Sequence, residues 1–160
     1  MKWLDKINEW QNGIIQKYPN NITTNFFYET SKCDKNMLNE YKEKYIENDI
    51  LNFKQDYSPY NEYINKSTNK YVISFMNLSK DTLLIIPVPR KNKNYSTIKN
   101  FMDNASINQQ KYFWKKVAYL IKKFLKTNDN VYISTHGLGV HYFHLRLELK
   151  PKYYQTKEFI

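Results

Sequence analysis

Residues 108–150, NQQKYFWKKVAYLIKKFLKTNDNVYISTHGLGVHYFHLRLELK, place a helix, a strand, a glycine turn and a second strand in one uninterrupted run. Phe113, Trp114, Val117, Leu120, Ile121, Phe124 and Leu125 recur at three- and four-residue steps, which predicts a helix over Asn108–Lys126 with one apolar stripe. Lys111, Lys115, Lys116, Lys122, Lys123 and Lys126 fill the remaining positions, either as a solvated face or as a track for nucleic acid. Thr127–Asn130 then turns the chain into a strand at Val131–Ser134, and a final strand is expected from about Val140 to Leu149.

In a strand, successive side chains point to opposite faces. One face of the final strand carries His141, Phe143, Leu145, Leu147 and Leu149, and this is the expected core side. The other carries Tyr142, His144, Arg146, Glu148 and Lys150, the polar alternation of a strand with one face in solvent. All 3 histidines of the chain, His136, His141 and His144, lie in this window, with Gly137 and Gly139 from a total of 3 glycines. Histidine titrates nearest neutrality and suits proton transfer, and glycine lets backbone come close to a ligand. His144 and Arg146 share a face about 6–7 Å apart at the usual strand rise. That pairs a nucleophile or acid–base group with an anchor for a phosphoryl group. The candidate catalytic residues are therefore His144 and His136, and the candidate ligand contacts are Arg146, Tyr142, Gly137 and Gly139. His141 and His144 differ by an odd number of positions and face opposite ways, so neither a metal site nor another cofactor is called for.

Outward from this core, Asp81–Val88 contains Leu-Leu-Ile-Ile, expected as a strand buried on both faces and ended by Pro87 and Pro89. Arg90 and Lys91 follow it as a second candidate anion contact, before a short helix capped by Ser96 over about Thr97–Asn104. Tyr71–Met76 alternates as a strand, Gln55–Lys70 reads as a long tyrosine-rich loop, and Lys35–Phe53 as an amphipathic helix. Ile22–Glu29 is a short strand, and Trp3–Ile14 a helix fraying at Gly13. The expected fold class is α+β: an antiparallel sheet of four to five strands with the long helix on one face. The N-terminal helices either pack round the sheet edge or join two copies in a homodimer. At 160 residues this is one domain, residues 1–70 helical and residues 71–154 forming the sheet-and-helix core.

One cysteine, Cys33, excludes a disulfide framework and a multi-thiolate metal centre. The N-terminus carries charge where a signal peptide carries an apolar stretch, and the longest apolar run is far below the roughly 20 residues that span a bilayer. A cytoplasmic protein with no membrane partner is expected. A net charge of +10 favours anionic partners, although a lysine-rich coding bias raises charge without any binding role.

Two resemblances follow. Ser134-Thr135-His136-Gly137-Leu138-Gly139-Val140, His144-Leu145-Arg146 and Pro151-Lys152-Tyr153-Tyr154 resemble an uncharacterised family of large DNA viruses and bacteria. Across Leu83–Pro87, the long helix, Val131–Ser134 and the final strand, the chain also resembles histidine-triad (HIT) nucleotide-binding proteins. Those close with Gly-x-x-Val-x-His-x-His-x-His, the middle histidine attacking a nucleotide α-phosphate. Laid on Val140, the triad positions become Tyr142, His144 and Arg146. The resemblance implies that His144 is the nucleophile, while the two replaced histidines depart from ordinary HIT hydrolases.

The leading expectation is a nucleotide- or phosphoester-binding protein, acting as a hydrolase or transferase through His144. The alternative is a basic module that binds RNA or DNA through lysines and exposed tyrosines, or an interaction protein without catalysis.

Overall fold

A computed structural model describes residues 2–25, 61–76, 80–95, 98–135 and 142–150. The first helix, α1 (Lys2–Trp10), buries Ile7 and half-buries Trp10. It ends where Gly13 N–H donates to Asn8 O (2.9 Å) and Asn12 N–H to Glu9 O (3.0 Å). This six-to-one, five-to-two pairing is a Schellman cap, and it places Asn12 (φ 53°) and Gly13 (φ 65°) in the left-handed region. The expected fraying point is thus a defined turn. The chain resumes as α2 (Ile14–Lys17), with Ile14 buried, and enters β1 (Ile22–Asn25).

The segment expected as a loop over Gln55–Lys70 contains a helix instead, α3 (Asn61–Lys66). Its Tyr63 ring stacks on Phe75 at 3.8 Å, so tertiary contact fixes a short helix that has no long apolar period of its own. Strands β2 (Val72–Met76) and β3 (Thr82–Pro87) follow, with Pro87 closing β3 as its missing N–H requires. Helix α4 (Ile98–Asn104) buries Ile98, Phe101 and Met102. Helix α5 (Ile107–Leu125) starts at Ser106, whose hydroxyl accepts from Gln109 N–H at 3.1 Å, and buries the predicted stripe from Phe113 to Ile121. Strands β4 (Val131–Ser134) and β5 (Leu145–Glu148) complete the described elements. The helix expected over Lys35–Phe53, the capping Ser96 and Cys33 lie outside the described residues.

The five described strands form one sheet in the order β1-β4-β5-β3-β2. Four pair antiparallel, as expected, but β1 joins the β4 edge parallel, Ile22 opposite Val131. The final strand is also shorter than its periodicity implies, because pairing begins only at Leu145. It occupies the middle of the sheet, between β3 and β4.

Register sorts the two faces. Met76, Leu83, Leu147 and Ile133 lie opposite one another across four strands, and all but Met76 are buried. Phe143, two residues before Leu145, packs its ring 5.3 Å from Phe113 and 5.5 Å from Phe101. Helices α4 and α5 therefore cover this face, and α1 packs on both of them rather than round the sheet edge. The next row, Phe75, Leu84, Arg146 and Ser134, belongs to the opposite face. There α3 sits over Phe75.

Candidate functional site

The face expected to meet solvent is covered. His144 is 1 % exposed, Glu148 has no exposure, and the Arg146 side chain keeps 15 %. Arg146 and Glu148 share a face as the reading of the strand requires, but their environment differs from it. A strand in the middle of a sheet with material on both sides buries even its polar face. A carboxylate and a guanidinium taken out of water are costly unless they meet. Here they do: Arg146 Nε donates to Glu148 Oε1 at 3.2 Å.

Neighbouring strands complete a polar zone. Ser134 of β4 lies directly opposite Arg146, while Tyr132 of β4 and Thr82 of β3 flank Glu148. Thr82 and Ser134 are both 2 % exposed. Among the described residues the Ser134 hydroxyl has no hydrogen-bond partner. Buried hydroxyls are nearly always satisfied, which makes Ser134 the unusual member of this polar row.

Backbone and side-chain bonds bring several candidate segments to one end of the sheet. Thr135 Oγ1 donates to His144 O at 2.8 Å, tying the end of β4 to the approach to β5. Tyr142 Oη donates to Pro87 O at 2.6 Å, and Phe143 N–H donates to Tyr95 O at 2.6 Å. The end of β3, the end of β4 and the start of β5 thus meet. His144 Nδ1 lies 3.1 Å from Tyr142 O. A carbonyl can only accept, so Nδ1 carries a proton.

Not every candidate joins this zone. Tyr142 is fully buried, with its hydroxyl engaged by Pro87, and so acts first as a brace. Arg90 donates to Lys70 O and lies over the Tyr71 ring at 5.5 Å, which turns it toward β2. Lys91 is exposed on the following turn. His136, Gly137 and Gly139, with His141, lie outside the described residues. Sequence reasoning passed over Ser134 and treated Glu148 as an ordinary surface acid. The i, i+2 spacing of Arg146 and Glu148 was the available signal, since it puts opposite charges side by side on one face. Among the described residues no group of three histidine, cysteine or acidic side chains is placed to hold a metal ion, and no helix is long and apolar enough to cross a membrane.

An α+β protein with a buried basic–acidic pair at the centre of its sheet is the class these features define. The chain belongs to a family of unknown function, DUF6940, which matches residues 2–160. No curated protein and no solved structure matches it.

Proposed function

We propose that the chain is a HIT-like protein that binds a nucleotide or another phosphoester on the Arg146 face and acts on its phosphoryl group through His144. The observation that carries this reading is the buried Ser134 hydroxyl directly across the strand pair from Arg146. A phosphate oxygen accepts from both a hydroxyl and a guanidinium, and charge-assisted bonds of this kind are about twice as strong as neutral ones. Glu148 orients the guanidinium through Nε. With Nδ1 protonated, the neutral form of His144 has its lone pair on the nitrogen a nucleophile or general base uses. The order of strands and helices after residue 80 and the retained middle histidine of the triad pattern support the same reading.

His144 is nearly fully enclosed, so ligand entry on this reading is coupled to a local opening of the covering layer. The test is calorimetric titration and turnover assays with inorganic phosphate, nucleoside mono-, di- and triphosphates and a nucleoside phosphoramidate. Binding that is lost in Arg146→Lys, with turnover lost in His144→Ala, supports the proposal. A His144→Ala protein that turns over these compounds as well as wild type sinks the mechanism, and a fully folded wild type that binds none of them sinks the binding site.

A further inference from the structure

The outward side of α5 carries a second surface, on the far side of the helix from the sheet. Its inner arc buries Phe113, Trp114, Val117, Leu120 and Ile121. The outer arc holds Tyr112, Lys115, Lys116, Tyr119, Lys122 and Lys123. At 3.6 residues per turn and 1.5 Å rise these six fall within an arc of roughly 120° and a length of about 16 Å. The two rings stand out in water, Tyr112 at 56 % and Tyr119 at 59 % exposure.

Lysine-rich composition does not account for this arrangement. On α3 and α4 an exposed lysine meets an acid one turn away: Lys66 with Glu62 at 2.8 Å, and Lys99 with Asp103 at 2.6 Å. Helix α5 contains no Asp or Glu in its 19 residues. Lys111–Lys115 and the Lys122–Lys126 pair at its end are like charges at i, i+4, which weakens a helix. The tyrosines are integrated with the cations: Lys116 Nζ lies 5.5 Å from the Tyr119 ring centroid, and Tyr112 stacks on Tyr71 at 4.8 Å, with Arg90 on Tyr71. An exposed ring beside a cation, repeated along a single-sign track, is the pairing that recognises a polyanion with open π-faces.

From this we infer that the outer face of α5 binds single-stranded nucleic acid, lysines following the phosphates while Tyr112 and Tyr119 stack on unpaired bases. A duplex hides the faces of its bases and would use only the lysines. An anionic membrane would want apolar side chains along the contact arc, and Ile107 at the helix start is the only large aliphatic residue exposed on α5.

The experiment is fluorescence anisotropy of labelled oligo-dT and oligo-U 12-mers with the full chain, in a potassium chloride series. Each phosphate neutralised contributes about −0.7 to the slope of log K against log salt for a single strand, so four contacts give a slope of about −3. Tyr112→Ala and Tyr119→Ala each weaken binding about tenfold; Tm stays unchanged in Tyr119→Ala and falls slightly in Tyr112→Ala, which loses its stack on Tyr71. Tyr112→Phe keeps the affinity, and Lys115→Gln or Lys122→Gln flattens the slope by about 0.7 each. His144→Ala leaves all of this unchanged, which separates the surface from the sheet site. The inference is overturned by no binding at low salt, by a 12-base-pair duplex binding as tightly as the single strand, by unchanged affinity in the tyrosine-to-alanine variants, or by capture on phosphatidylserine vesicles alone.

Discussion

Glu148, with no exposure of its own, holds the Nε of Arg146 at 3.2 Å on the central strand of the sheet. The pair is the most strongly desolvated charge arrangement among the described contacts, and removing either member takes a charge-assisted bond from the other. Loss of one partner from such a pair costs about 3–5 kcal/mol, whereas replacing both by apolar groups of similar volume is often neutral or stabilising. Glu148→Ala should therefore lower stability by about 3 kcal/mol or more, measured by urea unfolding, and Arg146→Met combined with Glu148→Leu should recover most of that loss. A double variant no more stable than the singles would show that the two charges are not each other's principal compensation.

Ser134 gives the opposite sign. Its hydroxyl is buried without a partner among the described residues, so removing it relieves a desolvation cost. Ser134→Ala is expected to leave the ligand-free protein as stable as wild type or up to about 1 kcal/mol more stable. In the presence of inorganic phosphate the wild type should gain more Tm than the variant, since only wild type can donate that hydrogen bond. Scanning calorimetry of both proteins with and without phosphate decides it. A variant clearly less stable than wild type without ligand means that the hydroxyl has a structural role.

The long helix and most strands could be read from periodicity because their signals are local. The stripe from Phe113 to Ile121 and the run Leu83–Ile86 each report which side is buried without reference to any other segment. The surroundings of His144, Arg146 and Glu148 could not be read that way. Alternation tells which residues share a face, but not whether a second layer covers it. That depends on β5 lying between β3, some sixty residues earlier, and β4, and on long-range packing such as that of α3 over Phe75. Ser134 matters only because the register sets it opposite Arg146, and Glu148 because its face is closed. The parallel pairing of β1 with β4 is equally non-local, joining Ile22 to Val131. Helix α3 was missed because a six-residue helix docked by one ring stack leaves no pattern long enough to detect.

Tyr142 fastens the start of the β5 segment to the end of β3 through its bond to Pro87 O. Tyr142→Phe keeps the ring in the core but leaves a buried carbonyl without its donor, a loss of about 1–3 kcal/mol. For a domain of this size each kcal/mol is worth roughly 2–4 °C in Tm. A drop of several degrees is therefore expected, with no change in the salt-dependent binding assigned to α5. A Tm within a degree of wild type would show that the hydroxyl contributes nothing to the closure.

Tyr95 links stability to pH. Its hydroxyl donates to Gln109 Oε1 at 2.6 Å, and Gln109 Nε2 in turn donates to Tyr71 O at 3.0 Å and Val88 O at 2.9 Å. Burial pushes the Tyr95 phenol up to about 12 from an ordinary value of 10, against a smaller downward pull from Arg90. In the unfolded chain this tyrosine loses its proton near pH 10, while the folded protein keeps it to about 12. Across that window the folded state binds more protons than the unfolded one, so stability falls as pH rises and levels off above it. The contribution is complete below pH 10. Tyr95→Phe should be less stable than wild type at pH 7, because Gln109 loses its donor, yet should lose less stability between pH 10 and 12. Every other titrating group is common to both proteins, so the difference between the two urea-unfolding curves isolates the phenol. Parallel curves from pH 7 to 12 would mean that Tyr95 ionises as readily in the folded protein as in the unfolded chain.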